Sequence, residues 1–186
     1  MSETLRIFVS ATRDLEAERA VIGRVLADLP VAIRAEIRRS QVGMSYDTLF
    51  EQIGNVDRVY FLMGGDITAP AGQEWHLAWQ LERPVLALRR PGGLTPAGQE
   101  FVRAAIGVAW TPFRTGMELG RLVTQDLVRL LLHPANRYGL NLTEVEALNR
   151  YHAQVSPSAP GPRPDPGGAE GGGILLEKMP RLDDDP

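Results

Sequence analysis

Cysteine is absent from this chain of 186 residues, which excludes a disulfide framework, a thiolate zinc site and a cysteine nucleophile. Histidine is scarce as well: His76, His133 and His152 show no ligand spacing, so no metal centre is expected. No apolar run reaches membrane-spanning length, and Met1-Ser2-Glu3-Thr4-Leu5-Arg6 lacks the apolar stretch of a secretory signal. A cytoplasmic protein with no membrane partner is the expectation. A large excess of charge of one sign is also missing. A formal net charge of -3 gives no global electrostatic case for nucleic-acid binding. The one basic cluster, Arg34, Arg38 and Arg39, reads as a solvated strand end, with phosphate contact as the alternative. No Gly-x-x-x-x-Gly-Lys-Ser/Thr loop and no serine with a positioned histidine is present, which sets aside P-loop hydrolysis and triad chemistry.

What the chain does contain is a regular alternation of strand and helix patterns. Apolar runs at Leu5–Val9, Val31–Ile37, Val59–Met63, Val85–Leu88 and Gly107–Trp110 read as five strands. Between them the spacing predicts a helix from Asp14 with Ile22, Val25, Leu26 and Leu29 inside. A second helix carries Tyr46, Leu49, Phe50 and Ile53, a third carries Glu74, and a fourth runs from Thr95-Pro96 to about Ala105. A long helix through Leu119–Leu131 and another from about Leu142 to His152 follow, the latter opened by a capping box of Thr143 and Glu146. This alternation implies an α/β fold: a doubly wound, five-stranded parallel sheet in order 2-1-3-4-5. It divides the chain into an α/β domain over 1–135, a C-terminal helix over 136–155, a Pro/Gly-rich linker over 156–173 and an apolar–acidic tail over 174–186 that reads as a docking peptide or a stub.

Glu74 is the carboxylate in an unusual place. On a helix it shares a face with Leu77, Ala78 and Leu81, so it points inward at the head of the apolar stripe. A helix-start acid favoured by the macrodipole is the structural alternative. Asp66, after the third strand, is its candidate partner in acid chemistry on a glycosidic bond. Ser10, Thr12, Arg13 and Asp14 follow the first strand, where hydroxyls and Asp14 are expected as helix caps. Glu18 and Arg19 interrupt the apolar stripe of the first helix, as a buried ion couple or a pocket lining. Gly64 and Gly65 allow a sharp turn or close approach to a ligand. Trp75 and Trp79, one turn apart, read as core or interface, with base stacking as the alternative.

The opening Arg6-Ile-Phe-Val-Ser-Ala-Thr-Arg-Asp-Leu-Glu-Ala-Glu-Arg19 resembles a TIR-like domain-of-unknown-function family whose members begin Phe-hydrophobic-Ser-Ser-Thr and continue Asp-Leu-x-x-Glu-Arg; Ala11 replaces the second serine. The middle, Asp57, an apolar strand, Gly72-x-Glu74 and Pro84-Val-Leu-Ala-Leu88, is similar both to that family and to nucleoside 2-deoxyribosyltransferases, where a Gly-Thr-Ala-x-Glu-x-Gly-Tyr-Ala pattern supplies a nucleophilic glutamate. Over residues 5 to 133 the resemblance implies a flavodoxin-like, TIR-like fold. It also implies a glutamate, here Glu74, that cleaves or transfers an N-glycosidic bond of NAD or a nucleotide in an effector or signalling role, with fused or self-associating partners. Asp66 is carried beside it as a catalytic candidate, with Ser10, Thr12, Arg13, Arg19, Gly64, Gly65 and Trp75 as the candidate substrate-binding set and no cofactor. Gly72-Gln73 before the glutamate, and His76-Leu77 after it, depart from the transferase pattern. A non-enzymatic nucleotide-sensing or self-assembling module is the alternative, and a deoxyribosyltransferase a further one.

Overall fold

The computed structural model describes residues 3–155; the linker 156–173 and the tail 174–186 lie outside the described residues. Five strands, β1 (Leu5–Ala11), β2 (Ala35–Arg38), β3 (Arg58–Met63), β4 (Val85–Arg89) and β5 (Thr111–Pro112), form one sheet in order β2-β1-β3-β4-β5. Every pairing is parallel, as strand–helix alternation with crossovers requires. The helices are α1 (Arg19–Ala27), α2 (Tyr46–Gly54), α3 (Ala69–Gln80), α4 (Pro96–Ala104), α5 (Gly116–Leu131) and α6 (Leu142–Val155). No helix among the described residues is long and apolar enough to cross a membrane.

Alternation along the strands sorts the core into two faces. Leu5, Ile7 and Val9 of β1, Tyr60 and Leu62 of β3, and Leu88 of β4 bury against α1, α5 and α6. Phe8 and Val59 bury against α2 and α3, and Phe61 and Met63 against α3 and α4. A sheet covered on both sides explains why β3 reads as an almost unbroken apolar run. One polar post crosses the first face. Asp126 of α5 accepts from Arg58 Nε at 2.8 Å and from the Tyr60 hydroxyl at 2.9 Å, and burial, with the Asp126 charge beside it, raises the Tyr60 pKa well above the ordinary phenol value.

Several boundaries differ from the periodicity. β2 spans Ala35–Arg38 rather than Val31–Ile37, because β1 starts only at Leu5, which pairs with Ala35; earlier residues have no neighbour strand. Val31 and Ile33 pack on the core as an approach segment instead. β5 is Thr111–Pro112, not Gly107–Trp110. Gly107 has φ +83° and Val108 N–H still donates to Ala105, so the chain is turning out of α4 where the strand was expected. The box opening α6 is Asn141 with Glu144, not Thr143 with Glu146. Glu144 N–H donates to Asn141 Oδ1 at 3.0 Å and Asn141 N–H to Glu144 Oε2 at 2.9 Å, the reciprocal geometry of a capping box two residues earlier. Thr95 does cap α4, accepting from Gly98 N–H at 3.1 Å with Pro96 next.

Candidate functional site

In this strand order β1 leads to α1 on one face, while α2 and the path to β3 lie on the other. The carboxyl ends of β1 and β3 are therefore the topological switch point, the usual ligand position of an open α/β sheet. A cleft of about 680 Å³ opens there. Arg13, Glu16 and Arg19 line it from the segment after β1, Arg39, Ser40 and Gln41 from the segment after β2, and Thr68, Pro70 and Glu74 from α3.

Glu74 lies in the second turn of α3, sharing its buried side with Ala71, Leu77 and Ala78. The inward reading is correct, and a first-turn dipole role does not fit that position. Only 2 % of the residue is exposed. Its Oε1 accepts from the Ser40 hydroxyl, while Oε2 has no hydrogen-bond partner among the described residues. Ser10, fully buried and on the same strand face as Phe8, sits beside the carboxylate; its Oγ also lacks a partner in hydrogen-bond geometry. Burial raises the Glu74 pKa, an effect opposed by the Ser10 and Ser40 hydroxyls and the Arg19 charge, and reinforced by Glu16. The cleft thus is lined by a carboxylate that is costly to ionise and has one oxygen buried without a partner.

The other expected site residues divide. Arg13 reaches the cleft, and no described residue forms an ion pair with it. Arg19 reaches it too but is largely committed: its guanidinium donates to the carbonyls of Val9 and, at 3.4 Å, Ala11, and pairs with Glu16 at 2.9 Å. Glu18 turns away and pairs with Arg90, so Glu18 and Arg19 are not a couple. Thr12 and Asp14 do not cap the first helix. The chain runs through a 3-10 segment, Arg13–Glu18, broken at Leu15 (φ −116°, ψ 17°), with no side-chain cap on it. Asp14 instead accepts from the Thr12 hydroxyl at 2.6 Å and from Gly65 N–H at 2.9 Å, and Gly64 N–H donates to Thr12 Oγ at 3.0 Å.

Gly64 is glycine for that lock rather than for ligand approach. A Cβ there would lie 1.8 Å from Asp14 Oδ2. Gly64→Ala is expected to cost about 1–2 kcal/mol, the worth of one or two displaced hydrogen bonds, and the loss should be smaller in an Asp14→Ala background. Burial raises the Asp14 pKa, but the Thr12 hydroxyl, the Gly65 amide and the Arg90 charge outweigh it, leaving the value below 3.8. The wild-type lock therefore stabilises above that pH and is lost as pH falls through the folded value. Urea melts at pH 7 and pH 3 read both effects; a Gly64→Ala cost unchanged by removing Asp14 would refute the lock.

Asp66 does not join Glu74. It lines a neighbouring cleft of about 490 Å³ with Gly65, Gly93 and Thr95, which meets the first only at Arg13 and Thr68. Its Oδ1 accepts from the Thr95 hydroxyl and from Ile67 N–H at 2.9 Å, tying the end of β3 to the start of α4. Trp75 is outside both clefts. It stacks on Trp110 at 5.4 Å and 6° and meets Phe61 edge-on at 4.6 Å, with Trp79 leaning on it at 5.6 Å, because residue 75 is rotated about 100° from residue 74 on the helix. The second carboxylate of the Glu74 cleft is Glu16.

Ser40 and Glu16 were missed in the sequence. The signal for Ser40 was the strand order itself: in 2-1-3 the segment after β2 borders the segment after β1, which brings Arg39 and Ser40 to the cleft. No protein-family model matches this chain, and no curated protein is significantly similar to it.

Proposed function

We propose that this chain is a TIR-like effector or signalling domain that cleaves or transfers the N-glycosidic bond of NAD or a nucleotide, with Glu74 as the nucleophile. The observation that carries the reading is the Glu74 carboxylate, 2 % exposed, one oxygen held by Ser40 and the other unpartnered, in a 680 Å³ cleft at the switch point. The Glu74 carboxylate attacks the anomeric carbon, the C–N bond breaks, and the bonding pair leaves with the base. A cationic nicotinamide base departs neutral and needs no proton, which suits a cleft with one buried carboxylate. Water or an acceptor hydroxyl then attacks the same carbon, releasing Glu74 as carboxylate and its own proton to solvent. Ser40 orients the carboxylate, and Arg13 and Arg39 meet phosphate oxygens.

A nucleotide-sensing module is the second reading. The separation of Asp66 from Glu74 favours it, because glycosidic cleavage with a poor leaving group needs a second acid close by, and the other carboxylate of this cleft, Glu16, is paired with Arg19. Incubation with NAD, nicotinamide mononucleotide and ribo- and deoxyribonucleosides, followed by chromatography of free base, tests the proposal. Release from the pyridinium substrates alone supports this mechanism. Release from deoxyribonucleosides alone, with the sugar passed to an added free base, would make the chain a deoxyribosyltransferase, and binding without release would leave the sensing module.

A further inference from the structure

Two consecutive arginines leave β4 with different fates. Arg90 projects to the α1 and α5 face, pairs with Glu18 and lies 5.6 Å from the Phe113 ring centroid. Arg89 is in register with Met63 and so projects to the opposite face, where α3 and α4 pack. No described residue pairs with its guanidinium, and its Nε is buried without a hydrogen-bond partner. A half-buried cation with no counter-charge is costly.

Trp110, near Arg89, carries a second orphan donor. Trp110 Nε1 is buried and unpartnered, and Trp110 and Arg89 both line a cavity of about 190 Å³ whose other walls are Pro91, Gly92 and Pro112. A Cβ built on Gly92 would meet nothing within 4 Å, so there is room beside the loop. One face of the Trp110 ring is taken by Trp75. The residues that line the cavity thus carry one cation, one buried and unpartnered N–H and apolar side chains, at the carboxyl end of β4 and apart from the Glu74 cleft.

We propose that this cavity binds a small monocarboxylate, with the carboxylate on Arg89 and the Trp110 indole N–H and its apolar body against Pro91 and Pro112. A planar acceptor with two oxygens matches a guanidinium and an adjacent N–H. A single positive charge in an apolar setting selects a monoanion over phosphate, which would leave charge and acceptors unsatisfied. Occupancy would brace the Pro91–Leu94 loop, whose continuation through Gly93 and Thr95 walls the Asp66 cleft. The site is independent of the glycosidic reading.

Benzoate is a suitable probe, titrated by calorimetry into the full chain. Expected is a Kd of about 1 mM or tighter, in the range open to a ligand of this size. Benzamide, the neutral analogue, and inorganic phosphate should each bind at least about tenfold more weakly. Arg89→Met should weaken benzoate at least about tenfold, and Trp110→Phe, which keeps a ring in the stack, about three- to tenfold. Val42→Ala in the Glu74 cleft should leave benzoate binding unchanged, and thermal melts show whether each variant is folded. No binding at about 10 mM, binding indifferent to both Arg89→Met and Trp110→Phe, loss on Val42→Ala, or phosphate binding as tightly as benzoate would each overturn the proposal.

Discussion

Asp126→Ala is expected to lower stability by about 2–4 kcal/mol, the cost of breaking a mostly buried ion pair whose partners are largely shielded from water. For a domain of this size that is roughly 5–12 °C in Tm. The side chains of Arg58 and Asp126 are only 18 % and 17 % exposed, and Tyr60 is fully buried. Truncation at Asp126 leaves a guanidinium and a phenol without an acceptor in the layer between sheet and α5. Tyr60→Phe removes one of those orphans, so Asp126→Ala should cost less in that background than alone. Urea denaturation followed by circular dichroism measures it. A cost under about 1 kcal/mol would place the pair among weak surface bridges and remove it as the tie between α5 and the sheet.

Glu74→Gln should act in opposite directions on function and stability. Activity should fall by about 10³-fold or more, because the amide keeps the volume but cannot form the covalent bond. Stability at pH 7 should rise. The folded pKa of Glu74 is raised by burial above 4.5, so the folded chain holds this proton at a pH where the unfolded chain has lost it. The resulting penalty is absent below the unfolded value, grows as pH rises, and is complete above the folded value. The variant's advantage should therefore vanish on acidification below about pH 4.5. Thermal melts of both proteins from pH 4 to pH 8 would show it; equal Tm values across the range would mean that the carboxylate is not held against its solvation. Ser40→Ala should raise the Glu74 pKa further, since it removes a donor to the charged form, and should move the acid limb of any activity profile to higher pH.

The architecture was legible because period and packing agree. β3 is apolar throughout since both faces are covered, and α5 places Leu119, Val123 and Leu127 at helical spacing on the core. The sheet order followed from the same alternation. Strand ends were not legible where a neighbour decides them: β2 begins only where β1 offers Leu5, and β5 waits for the turn at Gly107 to finish. Local chemistry misled where a side chain was recruited over distance. Asp14 has the residue type of a helix cap, yet its carboxylate serves Gly65, which is 51 residues away in the chain. Glu74 stood out because a charge broke an apolar stripe. Ser40, which orients it from 34 residues away, carries no such mark, and Trp75 was drawn into the site as a base-stacking ring beside Glu74, where the aromatic cluster with Trp110 and Phe61 claims it instead.

The central claim is that the buried Glu74 carboxylate is a nucleophile toward an N-glycosidic bond. The most direct measurement is chromatography of nicotinamide released from NAD by the wild-type chain and by Glu74→Gln at equal concentration, with melts confirming that both are folded. The account predicts release by the wild type and a fall of about 10³-fold in the variant, with its Tm at or above the wild type. Release undiminished by the substitution would contradict it.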